Sequence, residues 1–144
     1  MRFLYPYTVE TAEDGVTITF PDLPEAITGV AEEVRAPAAA RDCLEEAIAS
    51  RMLAGEDIPH PSPASSRGGR SAKAAPGALI AAKAALYDAM RAEGVKKTDL
   101  ARTLGVAEGE VRRMLDPRHA TKIGRLEDAL ATFSRQLIVA AVEV

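Results

Sequence analysis

The stretch TDLARTLGVAEGEVRRML, residues 98–115, decides how the second half of this chain folds. Leu100, Ala101 and Leu104 fall at helical spacing, and Thr98 ahead of them is a capping residue type. Gly105-Val106 then makes a tight turn, and Val111 and Leu115 mark the inner face of a following short helix. Ala101 is small enough for two helices to cross closely, so the segment has the layout of a helix-turn-helix. Asp116-Pro117 ends the second helix, because the proline ring disfavours helical backbone at the preceding residue. With Val111 and Leu115 inward, Gly109, Arg112 and Arg113 rotate outward. Arginine on such a face contacts phosphate or pairs with guanine in the major groove. The plain alternative is a helical hairpin whose arginines are merely solvated.

Two features count against the groove reading. Glu108 and Glu110 flank the outward face and repel phosphate, although a glutamate also accepts a hydrogen bond from cytosine N4. Ala107 is a poor N-cap, and Gly109 costs about 1 kcal/mol inside a helix. Gly109 alternatively lets the backbone approach a base closely, and both readings stay open. From Arg112 to Arg125 five basic residues (Arg112, Arg113, Arg118, Lys122, Arg125) face one acid, Asp116. The candidate DNA-contacting residues are therefore Lys97, Thr98, Glu108, Gly109, Glu110, Arg112, Arg113, Arg118, His119 and Lys122. His119 reads equally well as a helix-stop residue.

Outward from this segment the period stays helical. Leu79, Ala82, Leu86 and Met90 line one face of a helix ending near Gly94, and Leu126, Ala129, Leu130 and Phe133 form another. The end, QLIVAAVEV from Gln136 to Val144, is a continuous Val- and Ile-rich run that reads as a strand. Such a strand needs a partner edge, so self-association through it or the adjoining helix is expected.

Towards the N-terminus the period changes to two. Phe3, Tyr5, Tyr7 and Val9 alternate with other residues, as do Val16, Ile18 and Phe20, and Asp14-Gly15 between them supplies a hairpin turn. Ile27 to Ala31 is one more short strand after the Pro21–Pro24 turn. Pro37 suits the first turn of a helix on which Ala40, Leu44, Ala47, Ile48 and Met52 share a side and which Gly55 closes. The resulting fold class is α+β: a small β-β-β-α module over residues 1–58, then an all-helical module over residues 77–144 ending in a strand. Between them, residues 59–76 (PHPSPASSRGGRSAKAAP) are rich in Pro, Ser and Gly and read as a linker, with a short edge strand around Ser71–Ala75 as the other reading.

Charge divides the same way. Residues 1–58 hold four basic and twelve acidic side chains, a net −8, while residues 77–144 hold eleven basic and nine acidic. A basic partner for the first module and a polyanion for the second fit this asymmetry. The chain has 144 residues and one cysteine, Cys43, which excludes an internal disulfide and a multi-thiolate zinc site. His60 has no second ligand at metal spacing, and no cofactor is expected. No apolar run reaches the roughly 18 residues of a membrane span, and MRFLYPYTVE is no secretory signal, so a cytoplasmic protein without membrane contact is expected.

FPDLPEAITGVAEE, after a Tyr-rich first strand and a Gly-turned second, resembles the N-terminal signature of HicB antitoxins. KAALYDAMRAEGVKKTDLARTLGVAEGEVRRMLDPRHATKIGRLEDALA resembles their C-terminal helix-turn-helix, most specifically in Leu115 to His119. The sequence departs from the family at Glu25-Ala26, where Gly commonly follows the second Pro, and in the linker, where a clearer fourth strand is usual. The resemblance implies a partial RNase H-like module without nuclease activity. It also implies that this module inhibits a small mRNA-cleaving HicA-type toxin, while the second module binds the operator of the shared operon. Toxin contacts then fall on Asp22, Leu23, Pro24, Glu25, Glu32 and Glu33. The partners expected are the ribonuclease toxin, operator DNA and a second copy of the chain.

Two rivals are weaker. A two-metal nuclease needs clustered carboxylates; Glu10, Asp14 and Asp22 are the acids near strand ends, but Asp14 and Asp22 are better explained by turns, so no enzyme is expected. A one-component repressor sensing a small molecule needs an apolar pocket, which three strands under one helix scarcely supply.

Overall fold

The structure, a computed structural model, describes residues 1–63 and 70–143. The order is β1 (Tyr5–Ala12), β2 (Gly15–Phe20), β3 (Leu23–Val30), a 3-10 turn (Glu33–Arg35), α1 (Ala36–Ala54), β4 (Arg70–Ala74), α2 (Ala78–Glu93), α3 (Lys97–Leu104), α4 (Glu108–Leu115) and α5 (Ile123–Ala131). The chain is α+β and divides into two compact units. One comprises Met1–Ile48, Pro59–Gly77 and Val142–Val144; the other comprises Ala49–Ile58 and Ala78–Ala141.

The first unit is built on an antiparallel sheet in the order β3-β2-β1-β4. Gly15 turns β1 into β2 at φ 141°, and a Cβ there would stand 2.8 Å from the carbonyl oxygen of Val30, so only glycine fits. Tyr5, Tyr7, Val16, Ile18 and Phe20 are buried on one face, with Tyr7 and Phe20 rings 5.6 Å apart. On the other face Thr8 and Thr19, directly paired, share a hydroxyl hydrogen bond of 2.7 Å. Ala36, Ala40, Leu44, Ala47 and Ile48 form the buried stripe of α1.

Two expectations change here. The third strand starts at Leu23, not Ile27, and runs through Pro24; β3 is an edge strand, where a proline need not break the ladder. Within 59–76 the alternative reading, an edge strand around Ser71–Ala75, is the one that forms: β4 pairs with β1 from Tyr5↔Ala74 to Val9↔Arg70, so the stretch is not linker throughout. Backbone groups make that ladder, so RSAKA joins it without an apolar pattern. The flexible SSRGG reading falls on residues outside those described.

The second unit closes on Ala82, Leu86, Ala89, Met90, Leu100, Ala101, Val111, Met114, Leu126, Ala129, Leu130 and Phe133. Residues 49–58, assigned by sequence to the first module, group here. The hydroxyl of Tyr87 donates to the carbonyl of Glu56 at 2.7 Å, and Arg91 donates to the carbonyl of Gly55 at 2.8 Å and to Asp57 Oδ1 at 2.6 Å. Residues 135–143 form no strand, contrary to the reading of QLIVAAVEV. A strand exists only through its ladder, and among the described residues no edge pairs with this run.

Candidate nucleic-acid interface and acidic surface

α3 and α4 are eight residues each, joined through Gly105, which caps α3 at φ 68° in the left-handed region. α3 starts at Lys97 rather than after Thr98. The backbone N–H of Lys96 donates to Asp99 Oδ2 at 3.3 Å, so Asp99 supplies the capping interaction and Thr98 lies exposed in the first turn. In α4 the buried pair is Val111 and Met114, three apart, with Leu115 only partly buried. The inward face is thus rotated slightly from the Val111–Leu115 expectation, and Arg112 and Arg113 both remain exposed.

The acids of α4 do not simply repel. Arg112 donates to Glu108 Oε1 from Nε at 3.1 Å and from Nη2 at 2.8 Å, one helical turn apart. Arg125 reaches Glu110 Oε2 at 3.5 Å. Two cations of the basic stretch are therefore already matched, and a phosphate must compete with a carboxylate for each. Among the described residues, no ion pair holds Arg113, Arg118 or Lys122. A Cβ on Gly109 would meet only the Arg113 guanidinium, at an ordinary 3.5 Å, so nothing inside the fold demands glycine there.

Beyond α4, Asp116 caps the helix and its carboxylate accepts from the Arg118 N–H at 2.9 Å. His119 Nδ1 lies 3.2 Å from the Thr121 hydroxyl. Arg118, His119 and Lys122 are exposed on this short connection before α5. The structure thereby gathers Gly109, Arg112, Arg113, Arg118, His119 and Lys122 on α4 and the segment that follows it. Lys97 and Thr98 belong to the start of α3.

The acidic surface lies in the first unit. Pro24 and Glu25 are exposed on β3, and Glu32 and Glu33 are exposed beside the 3-10 turn, whose Arg35 N–H donates to the Glu32 carbonyl. Ile27 and Val34 expose 61% and 81% of their surface among these acids, enough to offer a partner apolar contact as well as charge. Leu23 is fully buried in the sheet's core, whereas Asp22 is half-buried and its carboxylate accepts from the Ser62 N–H at 2.9 Å.

The family description for HicB-like antitoxins of bacterial toxin–antitoxin systems matches residues 3–70. Over 138 residues the chain is 34% identical to antitoxin HicB 2 of Photorhabdus laumondii, covering 96% of each protein. It is 31% identical over 139 residues to antitoxin HicB of Escherichia coli K12, covering 96% of this chain and 99% of that one. This chain belongs to the HicB antitoxin family. Because the family description ends at residue 70, the relationship of the helical unit to HicB antitoxins rests on these full-length alignments. Among the described residues, no helix of this HicB family member is long and apolar enough to cross a membrane.

Sequence reading missed one residue of the site. Lys83, on α2, is completely buried, and its Nζ lies within hydrogen-bonding distance of four groups that follow Val111. These are the carbonyls of Arg113 (3.0 Å), Asp116 (2.6 Å) and His119 (2.7 Å) and the hydroxyl of Thr121 (2.9 Å). Burial lowers the Lys83 pKa, and the Asp116 carboxylate works in the opposite direction. The signal was its spacing: Lys83 continues the stripe Leu79, Leu86, Met90, where a solvated lysine does not belong.

Proposed function

We propose that this chain is an antitoxin that neutralises a small mRNA-cleaving HicA-type toxin and represses its own operon by binding operator DNA. The observation that carries the reading is its relationship to named HicB antitoxins across both units. The sheet unit binds the toxin through Pro24, Glu25, Glu32 and Glu33. A ribonuclease must hold a polyanion, so its surface is basic, and these exposed acids complement it. Charge matching of this kind accelerates encounter more than it adds affinity. Reversing Glu25, Glu32 and Glu33 to lysine is expected to slow toxin association at low salt by about tenfold or more, with a smaller loss at high salt. Stopped-flow binding reads the rate, and growth on toxin induction reads the consequence. Unchanged rates at low salt place the toxin elsewhere.

The helical unit reads the operator with α4 in the major groove as the second helix of a helix-turn-helix, Arg113 and Arg112 reaching base edges or phosphates, and Arg118, His119 and Lys122 following the backbone. Glu108 tempers this by holding Arg112 until a correctly placed acceptor replaces its carboxylate, which disfavours non-specific binding. A salt series on the operon's promoter separates the roles. Arg113→Ala is expected to cost about 1–3 kcal/mol and relax preference at one position, whereas Lys122→Ala weakens all sequences alike and reduces the salt slope by roughly one. Arg112→Ala is expected to cost less than Arg113→Ala, since its ion pair is given up on binding. If no substitution alters affinity in folded protein, α4 does not enter the groove. Two copies bind paired half-sites, joined through the C-terminal run of the helical unit.

A further inference from the structure

Lys83 is the one charged side chain among the described residues that is fully buried, and it makes no carboxylate ion pair. Taking an ammonium out of water is costly, and the cost is offset only when its protons are all well placed. Here four acceptors surround three N–H donors: the carbonyls of Arg113, Asp116 and His119 and the Thr121 hydroxyl. The arrangement extends outward, because the Thr121 hydroxyl also donates to the Arg113 carbonyl at 3.3 Å and lies 3.2 Å from His119 Nδ1. All four acceptors belong to residues 113–121, the end of α4 and the connection after it.

The Arg113 and Asp116 carbonyls each accept one local N–H, from Asp116 at 3.3 Å and His119 at 3.1 Å, but no regular ladder continues through the connection after α4. Asp116 and Pro117 stop α4, but a stop alone leaves the direction of the following chain open. A buried point cation meeting three carbonyls at once removes that freedom, and it also complements the negative end of the α4 dipole. The residues so fixed are those whose outward side chains carry the basic surface.

We propose that Lys83 is the positioning residue of this surface: its ammonium sets the course of the chain beyond the end of α4 and so how Arg113, Arg118, His119 and Lys122 are presented together. The inference rests on the operator-binding reading. Lys83 touches no nucleic acid itself and contributes specificity through geometry. Base readout depends on placement to a fraction of an ångström, whereas non-specific attraction depends mainly on the number of cations near phosphate. Removing Lys83 therefore separates the two.

The test uses the full chain, with wild type, Lys83→Met and Thr121→Val compared for binding to the operon's promoter and to a scrambled duplex across a salt series. Wild type that fails to prefer its promoter overturns the operator reading itself, a result distinct from those below. If wild type binds specifically, Lys83→Met is expected to lose tenfold or more in promoter affinity. Its scrambled-DNA affinity and salt slope stay within twofold of wild type, and its helical circular dichroism persists. Equal affinity for the promoter in folded Lys83→Met, or equal losses on both duplexes, overturns the proposal. Should Lys83→Met not fold, Thr121→Val decides, since it removes one acceptor and leaves the ammonium its three carbonyls. At least a threefold loss confined to the promoter supports positioning, and no loss overturns it. In ¹⁵N-lysine-labelled wild type, one ammonium signal with slowly exchanging protons is expected, absent from Lys83→Met; its absence from wild type removes the buried donor on which the argument depends.

Discussion

A chain cut after Ile58 is expected to lose the sheet unit, while one cut after Gly77 keeps it and still neutralises the toxin. The two pieces differ by residues 59–77 alone, since both lack the α2 partners of residues 49–58. That segment supplies β4 to the open edge of β1 over five residue pairs. It also supplies the Pro59 carbonyl that accepts from the Tyr5 hydroxyl at 2.8 Å, the Ser62 N–H that donates to Asp22, and the Gly77 N–H that donates to Glu45. Ala74 and Pro76 are buried with the unit. At a net 0.5–1.5 kcal/mol for each hydrogen bond, the loss amounts to about 4 kcal/mol or more, comparable to the whole stability of a small domain. Circular dichroism and growth after toxin induction check the outcome. Equal folding of the two pieces would mean that β4 decorates the sheet instead of completing it.

Removing residues 138–144 is expected to convert a self-associated protein into a monomer and to lower operator affinity by about a hundredfold or more, because joined half-site readers gain that much from linkage. Ile138, Val139 and Val142 are 80%, 65% and 54% exposed on a run with high strand propensity and no ladder of its own. On the proposed dimer, two copies aligned antiparallel across a two-fold axis would satisfy each other's backbone and cover these side chains. The cut falls after Leu137 because that residue packs against the core of the helical unit, and Arg135 pairs with Asp88 at 3.6 Å. Sedimentation and promoter binding read the result; an unchanged mass removes the tail from the interface.

The local elements were legible in the sequence because their causes are local. Asp14-Gly15 needs a backbone that only glycine adopts beside Val30, alternation puts Tyr5, Tyr7, Val16 and Ile18 on one face, and Gly105 and Asp116-Pro117 bound α3 and α4 wherever those helices pack. The spacing of Glu108 and Arg112 also announced an ion pair, which charge counting alone read as repulsion. Other features depend on partners far along the chain. β4 left little trace in RSAKA because a ladder is made by backbone groups common to every residue, and only the bare edge of β1 selected it. QLIVAAVEV has strand composition, but among the described residues no edge pairs with it, so composition overstated it. Leu23, read as a contact residue, was taken into the core by a sheet that starts β3 earlier than its proline suggested. Lys83 depends most on tertiary structure: its acceptors lie 30 to 38 residues away. Sequence spacing could place it on the buried stripe of α2, but only the folded chain brings three carbonyls to its ammonium.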